Sequence, residues 1–242
     1  MSQIADARTP DPTYRSLYRL GGVAALVVAF LTVAEVVAFM FFPQPSTIGA
    51  WFTLFQANPF IGLLDFWGLE VPMYAMFAIV FLALYIVLRK VNRSGMAIAL
   101  TLALLGIAVF FATNNPFSML SLGRQFAAAT ADANRSALLA AGEALLANTN
   151  QRAIGGFNMG LFLVSVAGLM VSSVMRRATS FRRLTAYVGI LAWGFSLADY
   201  LRQAFTSSVV IALLLILPGA LLLVLWFVFV GRRLLQLGHL GE

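Results

Sequence analysis

The chain has 242 residues, 61% hydrophobic and only 10% charged, against about 25% charged in a water-soluble domain. Its mean hydropathy of +0.91 excludes a soluble fold of this size, because a folded surface must match its solvent, and lipid is the solvent that matches. The net charge of +7 sits in short connections between apolar runs, so it reads as membrane topology and not as a nucleic-acid surface.

There is no cysteine, which excludes disulfides and thiolate metal sites. The single histidine, His239, excludes a bis-histidine haem or a multi-histidine zinc site within the chain. No cofactor is expected.

In chain order, residues 1–17 form a polar tail with Arg8 and Arg15. The next run is too long for a signal-peptide core and has no small-x-small cleavage site after it, so it reads as a retained first span. Six runs meet the length of about 20 apolar residues that a span needs: 18–42, 70–89, 96–113, 153–175, 184–203 and 207–231. Together they make one domain over 18–234, followed by a tail at 235–242. The connections 90–95 and 176–183 are short and basic, whereas 43–69 and 114–152 are long and poor in charge.

Segment 43–69 carries Trp51, Phe52, Phe55, Phe60, Phe66 and Trp67. It reads as an interfacial segment with its rings at headgroup level, broken in two by Asn58-Pro59. Segment 114–152 opens on Asn114-Asn115-Pro116 and then predicts helices over 117–129 and 132–148, with Asp132 as an N-cap.

Basic residues set the orientation. With the N-terminus inside, Arg8, Arg15, Arg19, Arg89, Lys90, Arg93, Arg176, Arg177, Arg182, Arg183, Arg232 and Arg233 are cytoplasmic, and only Arg124, Arg135, Arg152 and Arg202 lie opposite. The fold class expected is therefore all-α: a polytopic membrane protein with six transmembrane helices, both termini cytoplasmic, and an extracytoplasmic helical hairpin between spans 3 and 4.

The outer segment NNPFSMLSLGRQFAAATADANRSALLAAGEALLAN, the stretch NPFIGLLD and the fourth span GGFNMGLFLVSVAGLMVSSVM resemble a bacterial integral membrane family of six helices, designated a domain of unknown function of type 4386. The likeness covers most of residues 15–230. It implies six spans and a bacterial cytoplasmic (inner) membrane, and it brings no reaction, ligand or catalytic residue.

Ionisable residues inside a span are costly and mark function by default. In the first span Glu35 shares a face with Thr32, Val28, Ala25 and Gly21. In the second, Glu70, Tyr74, Phe81 and Tyr85 align, and in the third Thr101, Ala108 and Asn115. In the fourth, Asn158, Leu161, Ser165, Gly168 and Ser172 align beside a Gly156/Gly160 packing stripe. In the fifth, Thr185, Gly189, Ala192, Ser196 and Asp199 align, with Arg202 one turn on. The sixth span is almost uniformly apolar around Pro218-Gly219 and is expected to face lipid.

Alternating helix direction places Glu35, Glu70, Tyr74, Asn115, Asn158, Asp199 and Arg202 in the outer half of the membrane. They are the candidate ligand-binding residues, converging on a pocket covered by the 114–152 segment. Three acids against one arginine favour a cationic or protonatable ligand. The competing reading treats most of them as ordinary helix-end polar groups, with Asp199–Arg202 a local pair of small worth and the arginines of 176–183 as topology signals or contacts for anionic lipid.

Three function classes follow. One is a protein that binds or transports a small amphipathic or cationic molecule through this pocket. Another is a non-catalytic accessory or assembly subunit of a larger membrane complex, or a homo-oligomer, docked through its outer segments. An intramembrane enzyme has least support: no span holds a histidine or cysteine, and none has a central lysine for a retinal Schiff base.

Overall fold

The computed structural model describes residues 12–42, 44–149, 159–206 and 208–239. Every element described is a helix: a 3₁₀ turn at Pro12–Tyr14, then α1 (Arg15–Phe41), α2 (Ile48–Ala57), α3 (Pro59–Leu63), a π-helical turn (Leu64–Gly68), α4 (Glu70–Leu88), α5 (Arg93–Thr113), α6 (Pro116–Ala128), α7 (Asp132–Thr149), α8 (Met159–Met175), α9 (Arg183–Phe205) and α10 (Val209–His239).

Five helical stretches are long and apolar enough to cross a membrane: Arg15–Ala38, Pro59–Leu88, Arg93–Ala128, Arg183–Gln203 and Val209–His239. The second begins well before the expected residue 70 and the third extends past 113, because the chain stays helical through Leu64–Gly68 and resumes a helix at Pro116. The described part of the fourth expected span is α8, a shorter apolar helix of 17 residues. The rest of that run, Asn158 and Gly156 included, lies outside the described residues.

These helices close into a ring: α1 packs on α4, α4 on α5, α5 on α8, α8 on α9, α9 on α10, and α10 back on α1. Small residues set the closest approaches, as expected where dispersion drives helix association in lipid. A Cβ at Gly22 on α1 would lie 2.9 Å from the Gly231 carbonyl oxygen on α10, and one at Gly106 on α5 would lie 2.6 Å from the Gly160 carbonyl oxygen on α8. Gly168 on α8 leaves room for the indole of Trp193 on α9. The core is a stack of large rings: Tyr74 lies flat on Phe110 (3.6 Å between centroids), Phe77 on Phe227 (5.4 Å), and Trp193 meets Trp226 edge-on (5.5 Å).

The faces read from the sequence divide. Ala25, Val28 and Thr32 on α1, Ser165 and Ser172 on α8, and Ala192 on α9 are buried. The α5 stripe is reversed: Thr101, Ala108 and Asn115 are exposed, while Met96, Ala99, Ala103, Gly106, Ile107 and Phe110 are buried. Thr101 is tolerated outside because its hydroxyl donates to the Ala97 carbonyl of its own helix (3.0 Å). Nor does α10 simply face lipid. Leu213, Leu214, Leu217 and Leu221 are exposed, but Trp226, Phe227, Val230, Leu234 and Leu237 are buried against the ring.

The segment 43–69 also departs from its interfacial reading. Trp51, Phe52, Phe55 and Phe66 are buried with Met119 and Leu146 in a second core made by α2, α6 and α7, Phe60 is exposed, and the side chain of Trp67 lies outside those described. Trp51 meets Phe66 edge-on at 5.0 Å, so the rings find one another in preference to headgroups. Asn58 breaks the segment as expected and caps α3, its Oδ1 accepting from Ile61 N (3.1 Å). α6 and α7 begin within a residue of the predicted bounds and pack on each other. Asp132 opens α7 as its first residue instead of preceding it, and Arg135 lies over the Phe126 ring at 5.0 Å.

Candidate functional site

The end of the ring nearest the second core holds a cavity of about 310 Å³. Four of the seven predicted residues line it: Glu35 from α1, Glu70 and Tyr74 from α4, and Asp199 from α9. Each is there for a local reason. Glu35 is one turn beyond Thr32, whose hydroxyl donates to the Val28 carbonyl (2.9 Å) and touches Met73 Sδ (3.5 Å), joining α1 to α4. Glu70 is the first residue of α4, which continues the helical path of Leu64–Gly68 through Leu69. Tyr74 follows one turn later and is fixed by its stack on Phe110.

Glu35 and Glu70 come within hydrogen-bonding reach of each other. A hydrogen bond between two carboxyl groups requires a proton on one of them, so the pair carries at most one negative charge. Glu70 is 4% exposed, and its Oε2 has no partner among the described residues. Tyr74 Oη and Trp193 Nε1 are also buried without partners, and both residues line the cavity.

Asp199 is differently placed. Arg202 Nε donates to its Oδ1 (2.7 Å) and Gln203 Nε2 to its Oδ2 (3.0 Å). Arg202 also donates to the Thr206 carbonyl (3.0 Å), tying down the end of α9. Asp199 and Arg202 thus neutralise each other within one helix, and Arg202 lies behind the cavity wall, outside its lining. Asn115 is exposed and caps α6, its Oδ1 accepting from Phe117 N (3.0 Å). It is no part of this site, because its stripe on α5 faces outward. Asn158 lies outside the described residues.

The residues missed by charge-led reading are aromatic: Phe77, Trp193 and Tyr200 line the same cavity. α10 completes it through Leu215, Ile216, Gly219 and Ala220 around Pro218, which interrupts the helical hydrogen bonding there. The signal that could have found them was a set of large aromatics at mid-span positions facing small residues on neighbouring helices. Asp65 was also missed. It is fully buried beside the second core, and neither carboxylate oxygen has a partner among the described residues.

Among the described residues no group of three or more histidine, cysteine, aspartate or glutamate side chains is arranged to hold a metal ion. The site offers at most one negative charge, unpaired polar atoms and aromatic walls. That set suits an amphipathic cation, whose charge meets the carboxyl pair while its apolar body lies on the rings.

Comparison with protein-family models, with curated proteins and with solved structures gives no match.

Proposed function

We propose that the chain is an integral membrane protein that binds a small, monovalent amphipathic cation in the cavity between α1, α4, α9 and α10. In this reading it has six spans in a bacterial cytoplasmic membrane, the fourth of them containing α8, and it belongs to the family it resembles. Both termini are cytoplasmic, and α2, α3, α6 and α7 form an extracytoplasmic cover that includes the helical hairpin.

One observation carries the ligand class. Glu35 and Glu70 face each other in an aromatic-walled cavity with Glu70 Oε2 and Tyr74 Oη unpaired, while the nearby Asp199 is already neutralised by Arg202. Unpaired buried polar atoms cost roughly 1–3 kcal/mol each, and the charge of a bound cation offsets that cost at the carboxyl pair while the rings meet it face-on. With one proton shared between them the two carboxyl groups carry minus one, which selects a monovalent ligand over a divalent one.

The test is calorimetric titration of benzyltrimethylammonium into the protein in lipid nanodiscs, with its uncharged carbon isostere as control. Saturable one-to-one binding of the cation alone, weakened at least about tenfold in Glu70→Gln, about 1.4 kcal/mol, supports the reading. Equal binding by cation and isostere, or by wild type and variant, overturns it. Uptake of the same probe into proteoliposomes then separates a carrier from a receptor.

A further inference from the structure

The opposite end of the ring holds a second cavity, of about 420 Å³, between residues 179–182, the first turn of α9 and the last turns of α10. It is lined by Arg182, Arg232 and Arg233, by Thr185, and by Phe181 and Phe229. Among the described residues no acidic side chain lines it, and none of the three arginines pairs with a carboxylate.

The arrangement is a built one. Arg233 Nε donates to the Ser180 carbonyl and its Nη1 to Gln236 Oε1 (3.2 Å). A guanidinium has five N–H donors, so Arg233 is held in place with donors to spare. Arg182 is the N-cap residue of the 23-residue α9, yet its side chain makes no capping bond and the first turn carries no acid. The free N–H groups and positive dipole end of that helix are thus left without an internal partner beside the arginines. Thr185 is 6% exposed, lines the cavity and has no hydrogen-bond partner among the described residues. Leu184, also in the lining, is exposed, and Phe181 is buried beside it, so the polar pocket opens onto an apolar edge.

We infer that this cavity is a binding site for a phosphate-bearing anion. Three uncompensated arginines, an uncapped helix N-terminus and an unpaired hydroxyl are the donor set that phosphate oxygens accept from, and the arginine fork matches their geometry. The apolar edge makes the headgroup of an anionic phospholipid the natural source, its acyl chains running along Leu184 and Phe229, while a soluble phosphate compound would use the same donors without that edge.

The test uses the full chain in nanodiscs of phosphatidylcholine doped with phosphatidylglycerol, with retained lipid counted by native mass spectrometry. The wild type is expected to retain phosphatidylglycerol at least about tenfold above its bulk share. The double variant Arg182→Gln/Arg232→Gln is expected to lose that preference. Arg182→Lys/Arg232→Lys, which keeps the charge and loses the fork, is expected to fall between them. Arg233 is left intact in these variants because it holds the 179–182 segment, and an unchanged melting temperature confirms that each variant is folded. A parallel titration with inorganic phosphate decides the source: binding of phosphate itself, lost in the Gln double variant, places a soluble anion in the site, and its absence alongside lipid retention places the lipid there. Equal phosphatidylglycerol retention by wild type and Gln double variant, with no arginine-dependent phosphate binding, overturns the inference.

Discussion

The two ends of the helix ring are made from the same helices but solve the problem of charge in opposite ways. At one end Glu35 and Glu70 are drawn together inside the bundle and surrounded by Tyr74, Phe77 and Trp193. At the other, Arg182 and Arg232 stay exposed at the rim, and Arg19 reaches the Gly238 carbonyl at the end of α10 (3.1 Å), where a cation meets the negative end of the helix dipole. Arginine's long stem lets its charge remain in the polar interface while its carbons stay apolar. Glutamate on a mid-helix face cannot reach that far, so it must find a partner within the protein. The acidic end is therefore shaped by pairing, and the basic end by access to water and headgroups.

The difference predicts where substitutions hurt. The largest effect is expected from Trp226→Ala, which removes the ring that Trp193 and Phe227 pack against. It should cost on the order of 3 kcal/mol in thermal unfolding in detergent, whereas Leu214→Ala on the exposed face should stay within about 0.5 kcal/mol. Similar losses at both sites would break the distinction between protein-facing and lipid-facing surfaces of α10.

Next in size is the charge pair. Glu35→Gln should weaken cation binding about as much as Glu70→Gln, since in either variant the carboxyl left behind loses the protonated partner that stabilises its charge. The double change Asp199→Asn/Arg202→Gln should alter affinity less than about threefold, because that pair already sums to zero. A larger loss in the double variant than in Glu35→Gln would move the ligand charge from the carboxyl pair to Asp199.

Asp65 offers a smaller effect of opposite sign. Asp65→Leu removes a fully buried carboxylate without partners and should leave stability unchanged or raise it by about 1 kcal/mol. A clear loss of stability would show that the carboxylate has a role the second core depends on. Smallest is Asn115→Ala, which should cost about 1 kcal/mol or less in stability as a lost cap and leave calorimetric cation binding intact. Any marked fall in affinity would return Asn115 to the site.

What the sequence could and could not carry is clear at individual residues. Glu35, Glu70, Tyr74 and Asp199 were legible because a polar group in an apolar run has few places to go, and helical spacing says which face it shares. Phe77 and Trp193 were not, because in an almost wholly apolar helix a ring on the protein side and a ring on the lipid side look alike. The same ambiguity hides the protein-facing side of α10: most of the helix is exposed as expected, yet Leu214 and Leu234, identical in type, lie on opposite surfaces. On α5 the spacing of seven through Thr101, Ala108 and Asn115 outweighed the small residues Ala99, Ala103 and Gly106, which were the packing signal. The rings of 51–66 were placed at headgroups because their partners, Met119 and Leu146, are far away in sequence.

The central claim is that Glu35 and Glu70 share one proton at a site made for a cation. It is tested most directly by titrating benzyltrimethylammonium into the nanodisc-embedded protein in two buffers of different ionisation enthalpy. Because the pair already carries the one negative charge that meets the cation, it keeps its proton on binding: the expected heat is the same in both buffers, and affinity falls at least about tenfold in Glu35→Gln. A buffer-dependent heat amounting to about one proton released per cation bound, or equal affinity in wild type and Glu35→Gln, would contradict it.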